Sequence, residues 1–306
     1  MACLRFDKAA VVVCALVGLP AMGHGTAVSP SSRVYEVFQS NPENPSFQLA
    51  RNAVAMDGTL SYYTWNQISQ NIPEAVQAGL PAGFDYSPWV PDGHIASGGR
   101  FSGNVTGLLY EGLDQVSDQW PTTPVTAGQT IEVDFNATAP HEPSVWDVWM
   151  TTAGWDANTA LNWDQMEFLG RPDAQLNGNS YTFDVTIPTD RVGHHVLWIA
   201  WQRDDPVGEV FFSTSDLMIS AASFSGDLNN DGSVGVADLD VLLANWGATG
   251  SNLPGDADGD GTVGQLDLEL VRAQWGSGVP AGNVPEPGSL AVLAGVGGCV
   301  VARRRR

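Results

Sequence analysis

Four short runs do most to limit the fold: TIEVDF (130–135), VWDVWMT (145–151), YTFDVTI (181–187) and HVLWIAW (195–201). They alternate in polarity or are rich in β-branched and aromatic residues, and Gly, Pro, Asn and Asp separate them. Runs of this length and spacing are the mark of an antiparallel sandwich. Residues 24–222 are therefore expected to be mainly β, an immunoglobulin/fibronectin-like antiparallel β-sandwich with a loop-rich insertion. The insertion is expected between about residues 41 and 99, where loops and short helices replace the alternation.

The staples of many exported sandwiches are absent. Cys3, Cys14 and Cys299 are the only cysteines, so residues 24–298 hold no thiol. Export itself is legible at the start. Arg5 and Lys8 precede an apolar run from residue 9 to 19, and Ala21 and Gly23 are the small residues a signal peptidase accepts. The run is shorter than the roughly 20 residues a spanning helix needs. Residues 1–23 read as a secretory signal, with a cut after Gly25 as the alternative, and the mature chain begins at His24. The formal charge of −21 excludes nucleic acid as a partner, because phosphate binding needs clustered cations.

Composition shifts after residue 222. DLNNDGSVGVAD (227–238) and DADGDGTVGQLD (256–267) repeat with a 29-residue period, and a helix-like apolar pattern follows each. Oxygen-bearing side chains fall at positions 1, 3, 5 and 12: Asp227, Asn229, Asp231 and Asp238, then Asp256, Asp258, Asp260 and Asp267. Gly232 and Gly261 stand at position 6, and Ser233 and Thr262 at position 7 would offer backbone carbonyls. Hard oxygen donors at this spacing suit Ca²⁺. The expectation is a small α-helical, EF-hand-like module. The pair, over about residues 226–277, resembles a type I dockerin, in which Asp also closes the loop. That resemblance implies a cohesin-type scaffold partner; a calcium-stabilised spacer is the alternative.

The five histidines are His24, His94, His141, His194 and His195. An N-terminal histidine offers its α-amine and one ring nitrogen to the same metal. The amine's pKa near 8 lets a metal displace its proton at neutral pH. All-nitrogen tetragonal sites favour Cu(II). The other histidines read as structural on position alone.

HGTAVSPSSRVYEV (24–37) resembles the N-terminus of bacterial lytic polysaccharide monooxygenases of auxiliary-activity family ten, also called chitin-binding type-4 domains. PDGHIASGG (91–99), TAPHEPSVWDVWMTTAGWDANTALNWDQMEF (138–168), IPTDRVGHHVLWIAWQRDD (187–205) and EVFFSTSDL (209–217) follow in that family's order. The resemblance implies a histidine brace in which His24 gives its amine and a ring nitrogen, and His141 the third nitrogen, to copper. It also implies Ala139 and Phe211 beside the metal's axial positions and Glu209 as an outer-sphere acid. LSYYTWNQISQN (60–71) resembles the substrate-facing loop. Tyr63 or Trp65 would stack on a sugar ring, and Asn66 and Gln70 would hydrogen-bond to it; a buried Trp65 is the equal alternative.

The implied chemistry is oxidative cleavage of β-1,4 bonds in insoluble chitin or cellulose, chitin favoured, with an external electron donor and O₂ or H₂O₂. The rival readings are a non-catalytic carbohydrate-binding module and a structural cell-surface protein. Thr214 stands where relatives often carry a cysteine, and no polar group that replaces the lost disulfide can be identified from the sequence. After a linker (278–283), residues 284–306 resemble a PEP-CTERM sorting signal: VPEP, an apolar run and four arginines. It implies an extracellular protein, released or attached to the cell surface.

Overall fold

The computed structural model describes residues 24–278. The signal segment (1–23), the sorting segment (284–306) and nearly all of the linker lie outside the described residues. The chain divides into two compact units: 24–123 with 132–185 and 194–217, and 124–131 with 186–193 and 218–278.

The expected sandwich is present. One sheet has four strands: β1 (His24–Ser29), β4 (Thr130–Ala139), β8 (Ser180–Thr186) and β7 (Gln175–Asn177), in that order. The other runs β2 (Ser69–Asn71), β10 (Glu209–Ser220), β9 (Gly193–Arg203), β5 (Ser144–Thr151), β6 (Met166–Gly170), with β3 (Thr123–Thr126) also on β10. β9 and β10 are interior strands covered on both faces, which is why HVLWIAW reads as a continuous apolar run. Trp201 and Phe211 pack on each other and face the first sheet, where Trp201 meets Phe135 and Tyr181 as well as Trp146 of its own sheet. Trp198, Ala200, Val210 and Phe212 face the other way, into a second core.

That second core is the underside of the insertion. It holds α2 (Gln48–Asp57), α3 (Thr59–Tyr63) and α4 (Pro73–Gln77), with α1 (Arg33–Gln39) preceding it. The helices were expected; β2 was not. Its sequence, SQN, has no β-propensity, and it forms because Ser69, Gln70 and Asn71 pair with Phe211, Val210 and Glu209. Cross-strand context overrides local preference here.

In the second unit, the two repeats give α5 (Val236–Ala244) and α6 (Gln265–Ala273), packed through Val234, Leu242, Val263 and Val271. Gly232 and Gly261 both sit at φ +86°, the left-handed turn expected at position 6. The Val234 N–H donates to Ser277 O and its carbonyl accepts from Gly276 N. Val263 makes the same pair of bonds with Ala248 and Gly247. Each loop thus pairs with the chain that follows the other repeat's helix.

Candidate functional site

β1 is short and begins at His24, which pairs with Ala139 near the end of β4. Gly25 has no space for a side chain: a Cβ would lie 2.5 Å from Phe135 Cε1 and 2.8 Å from Asn136 O. Only glycine lets β1 lie this close to β4. The Gly25 N–H donates to Asn66 O at 3.0 Å, and the Asn66 amide donates to Thr138 Oγ1 at 2.6 Å. The loop after α3 is thereby fastened beside His24. Phe211, fully buried against Trp201, turns its ring edge-on to His24 with centroids 6.2 Å apart. The residue is thus both sandwich core and a neighbour of His24.

His141 lies two residues beyond Ala139. The Tyr181 hydroxyl pins its backbone, donating to His141 O at 3.0 Å and accepting from His141 N at 3.2 Å. Burial raises the Tyr181 pKa, so the hydroxyl keeps its proton. The imidazole Nε2 lies 3.4 Å from Asp205 Oδ2, while Nδ1 is buried with no hydrogen-bond partner among the described residues.

Behind His141 sits Arg203, 2 % exposed, whose Nη2 is 2.5 Å from Asp205 and whose Nη1 is 2.7 Å from Glu209. Ser69 donates to the other Glu209 oxygen at 3.4 Å. The expected outer-sphere acid is therefore a buried, paired carboxylate. Sequence reading missed Arg203 and Asp205; the signal was three charged residues, RDD, ending the apolar run of β9.

The sequence also gave no hint of what replaces a disulfide, and the structure corrects that reading. Thr26 Oγ1 is 2.9 Å from Ser32 Oγ and 3.0 Å from Ser213 Oγ, and Ser213 accepts the Ala27 N–H. Ser215 donates to Pro30 O. These buried hydroxyls tie β1 to β10 from the residue next but one to His24 onward. Thr214 itself takes no part, its hydroxyl being buried without a partner among the described residues. Arg33 adds an ion pair to Asp216, and His194 Nε2 lies 2.7 Å from the same carboxylate.

The remaining expected contacts sort by what they touch. Tyr63 is 45 % exposed, at the end of α3. Trp65 packs edge-on to Tyr35 at 5.2 Å and against Phe38, so its ring is a prop for the loop. Gln70 donates to the backbone carbonyls of Trp89 and Gly98, and Asn66 to Thr138; both amide nitrogens are committed to the fold. His94 stacks on Phe101 and pairs with Asp114, and His195 Nδ1 lies 2.9 Å from the Thr151 hydroxyl. Both rings are engaged within the fold.

In the repeat loops, Asp256, Asp258 and Asp260 bring one oxygen each within 4.8 Å of one another. The first loop differs: Asn229 donates to Asp231, whose other oxygen takes the Ser233 N–H and hydroxyl. Thr262 donates its N–H to Asp260. Asp238 and Asp267, buried at position 12, each accept three backbone N–H groups and cap α5 and α6. Asp227 accepts from Asp231 N and Gly232 N.

Residues 24–217 match the model of a family described as lytic polysaccharide mono-oxygenase, cellulose-degrading. The chain belongs to this family. Among curated relatives, the chitin-binding protein CbpD of Pseudomonas aeruginosa is 30% identical over 207 residues, covering 66% of this chain and 49% of that protein. The lytic cellulose monooxygenase of Streptomyces ambofaciens is 29% identical over 218 residues, covering 66% and 55%. The chain thus spans about half the length of the curated relatives it matches. Among solved structures of mono-oxygenases, the cellulose-active CelS2 in complex with copper is 26% identical with a TM-score of 0.54, covering 65% of this chain and 100% of that one.

Proposed function

We propose that the mature protein is a secreted, copper-dependent polysaccharide monooxygenase acting on insoluble chitin in preference to cellulose, with His24 as its first residue. The observation that carries this reading is the pairing of His24 with Ala139, which brings the start of β1 to the residue two positions before His141. Removal of residues 1–23 turns the His24 amide nitrogen into an amine, giving two imidazoles and one amine as donors. That donor set suits copper. Two local features fit a cation here: the unpartnered His141 Nδ1, and an Arg203 shared by two carboxylates, which leaves one negative charge over.

Copper, when bound, supplies one-electron chemistry with O₂ or H₂O₂. The chain's own part is to hold His24 and His141 against rigid strands. Phe211 and Ala139 lie beside His24, and Glu209, buried on Arg203, would serve as the outer-sphere acid. Tyr63 offers the exposed ring on which a sugar would stack; Trp65, Asn66 and Gln70 support that surface from within. The repeat module is read as a dockerin-like, calcium-binding appendage with a cohesin-type partner. Residues 284–306 are read as a sorting signal for the cell surface.

The test is mass spectrometry of soluble products from chitin and from cellulose, with copper and a reductant, on secreted protein whose N-terminus has been sequenced. Oxidised chito-oligosaccharides are expected. A mature chain that starts elsewhere than His24 refutes the mechanism. The name of CbpD favours one rival, a chitin-binding protein without catalysis, for which the same experiment yields retention on chitin and no oxidised product.

A further inference from the structure

We infer that Asp205 is a positioning residue that tunes the proposed copper centre, its carboxylate beside His141 holding the metal in the cupric state. The inference rests on the copper reading above. It starts from a charge imbalance. Arg203 is buried and carries one positive charge, yet it faces two carboxylates, Asp205 at 2.5 Å and Glu209 at 2.7 Å. Glu209 is 3 % exposed and also receives the Ser69 hydroxyl, so its charge is spent inside the fold. Asp205 is different. Its side chain is 18 % exposed, and the oxygen that Arg203 holds is the one 3.4 Å from His141 Nε2.

The excess negative charge is therefore directed at His141. If Nε2 ligates the metal, the carboxylate adjoins it; if Nδ1 does, Asp205 accepts a hydrogen bond from Nε2–H and makes the ring a stronger donor. Both geometries favour Cu(II) over Cu(I), because the extra positive charge of the oxidised ion gains more from a neighbouring anion. Arg203 fixes the carboxylate from behind, and the backbone is fixed too: Asp205 Oδ1 accepts from Val207 N and Gly208 N in the turn that leads into β10. The carboxylate is thus held on both sides before any metal arrives.

The experiment uses the secreted full-length chain beginning at His24, as wild type, Asp205→Asn, Asp205→Glu and Asp204→Asn. Cu(II) and Cu(I) dissociation constants and the Cu(II)/Cu(I) potential are measured, with the cupric electron paramagnetic resonance spectrum as a second readout. Asp205→Asn is expected to weaken Cu(II) binding about tenfold more than Cu(I) binding, which raises the one-electron potential by about 59 mV. Asp205→Glu keeps the charge and is expected to stay near wild type. Asp204→Asn removes the same charge from the exposed neighbour and is expected to change neither constant. A potential for Asp205→Asn equal to that of wild type, with copper bound normally in both, overturns this inference alone. A wild-type chain that takes up no copper overturns the proposed function together with it.

Discussion

Arg33 grips Asp216 with two hydrogen bonds, Nε at 2.6 Å and Nη2 at 2.9 Å, across 183 residues of sequence. Both groups are buried, and His194 completes the cluster. Asp216→Asn leaves a guanidinium buried without its counter-charge. The expected loss is about 3–5 kcal/mol, the usual result of breaking one side of a buried pair. Urea unfolding of the two proteins checks it; a loss below 1 kcal/mol would refute the role.

The same carboxylate sets an acid limit. Burial pushes the Asp216 pKa up, but the Arg33 charge and the hydrogen bonds from Arg33 and His194 outweigh it and hold it below the usual carboxylate range. A pKa lowered on folding adds stability that is full above the unfolded value of about 3.9 and fades as pH falls through the folded value. The difference in unfolding free energy between wild type and Asp216→Asn should therefore shrink as pH is lowered from 5 toward 2. A difference independent of pH in this window contradicts the assignment.

Ser213 is expected to matter more than its size suggests. Ser213→Ala leaves Thr26 Oγ1 with one partner fewer and the Ala27 N–H with none in its place, at a loss of about 1–3 kcal/mol. Ser213→Thr should recover part of it. Thiol reductants, by contrast, should leave the melting temperature of the mature protein unchanged, since residues 24–298 contain no cysteine.

Tyr63 and Gln70 should separate binding from folding. Tyr63→Ala removes an exposed ring and is expected to weaken retention on insoluble polysaccharide about fivefold, or about 1 kcal/mol, with no change in melting temperature. Gln70→Ala strips two backbone carbonyls, Trp89 O and Gly98 O, of their donor and is expected to lose about 1–3 kcal/mol of stability. Chitin pull-down and thermal melts on both variants decide the matter.

Calcium should act on the repeat module. At a hundredfold excess over the dissociation constant it should stabilise that unit by about 2.7 kcal/mol, and a chelator should reverse the gain. Asp256→Ala is expected to weaken this more than Asn229→Ala, because only the second loop gathers three carboxylates. Hydrogen exchange over 226–278, with and without calcium, reads it out.

The sandwich was legible because its strands are separated by turn residues, and the repeat because its period is exact. β2 was not legible: a strand of Ser, Gln and Asn exists only by virtue of its partner, β10. His24, Ala139, His141 and Phe211 were placed by resemblance, and the fold brings His24 beside Ala139 and Phe211. The fold gives the expected sugar-facing amides partners of its own, Trp89 O and Gly98 O for Gln70 and Thr138 for Asn66, because a side-chain amide serves a protein acceptor as readily as a sugar hydroxyl and only the fold shows which is within reach. Ser213 escaped notice because nothing in a local stretch reveals which hydroxyls a sheet will bury. For Arg203 and Asp205 the one local sign was RDD at the end of an apolar run, and the meeting of Asp205 with His141 joins residues distant in sequence.

The crossed pairing of Val234 with residues 276–277 and of Val263 with residues 247–248 has a consequence for how such an appendage can be shortened or inherited. In a solenoid, a unit can be dropped and the stack merely becomes smaller. Here each half borrows its closing ladder from its twin, so deleting one abolishes both. Selection must keep the two together or discard them together.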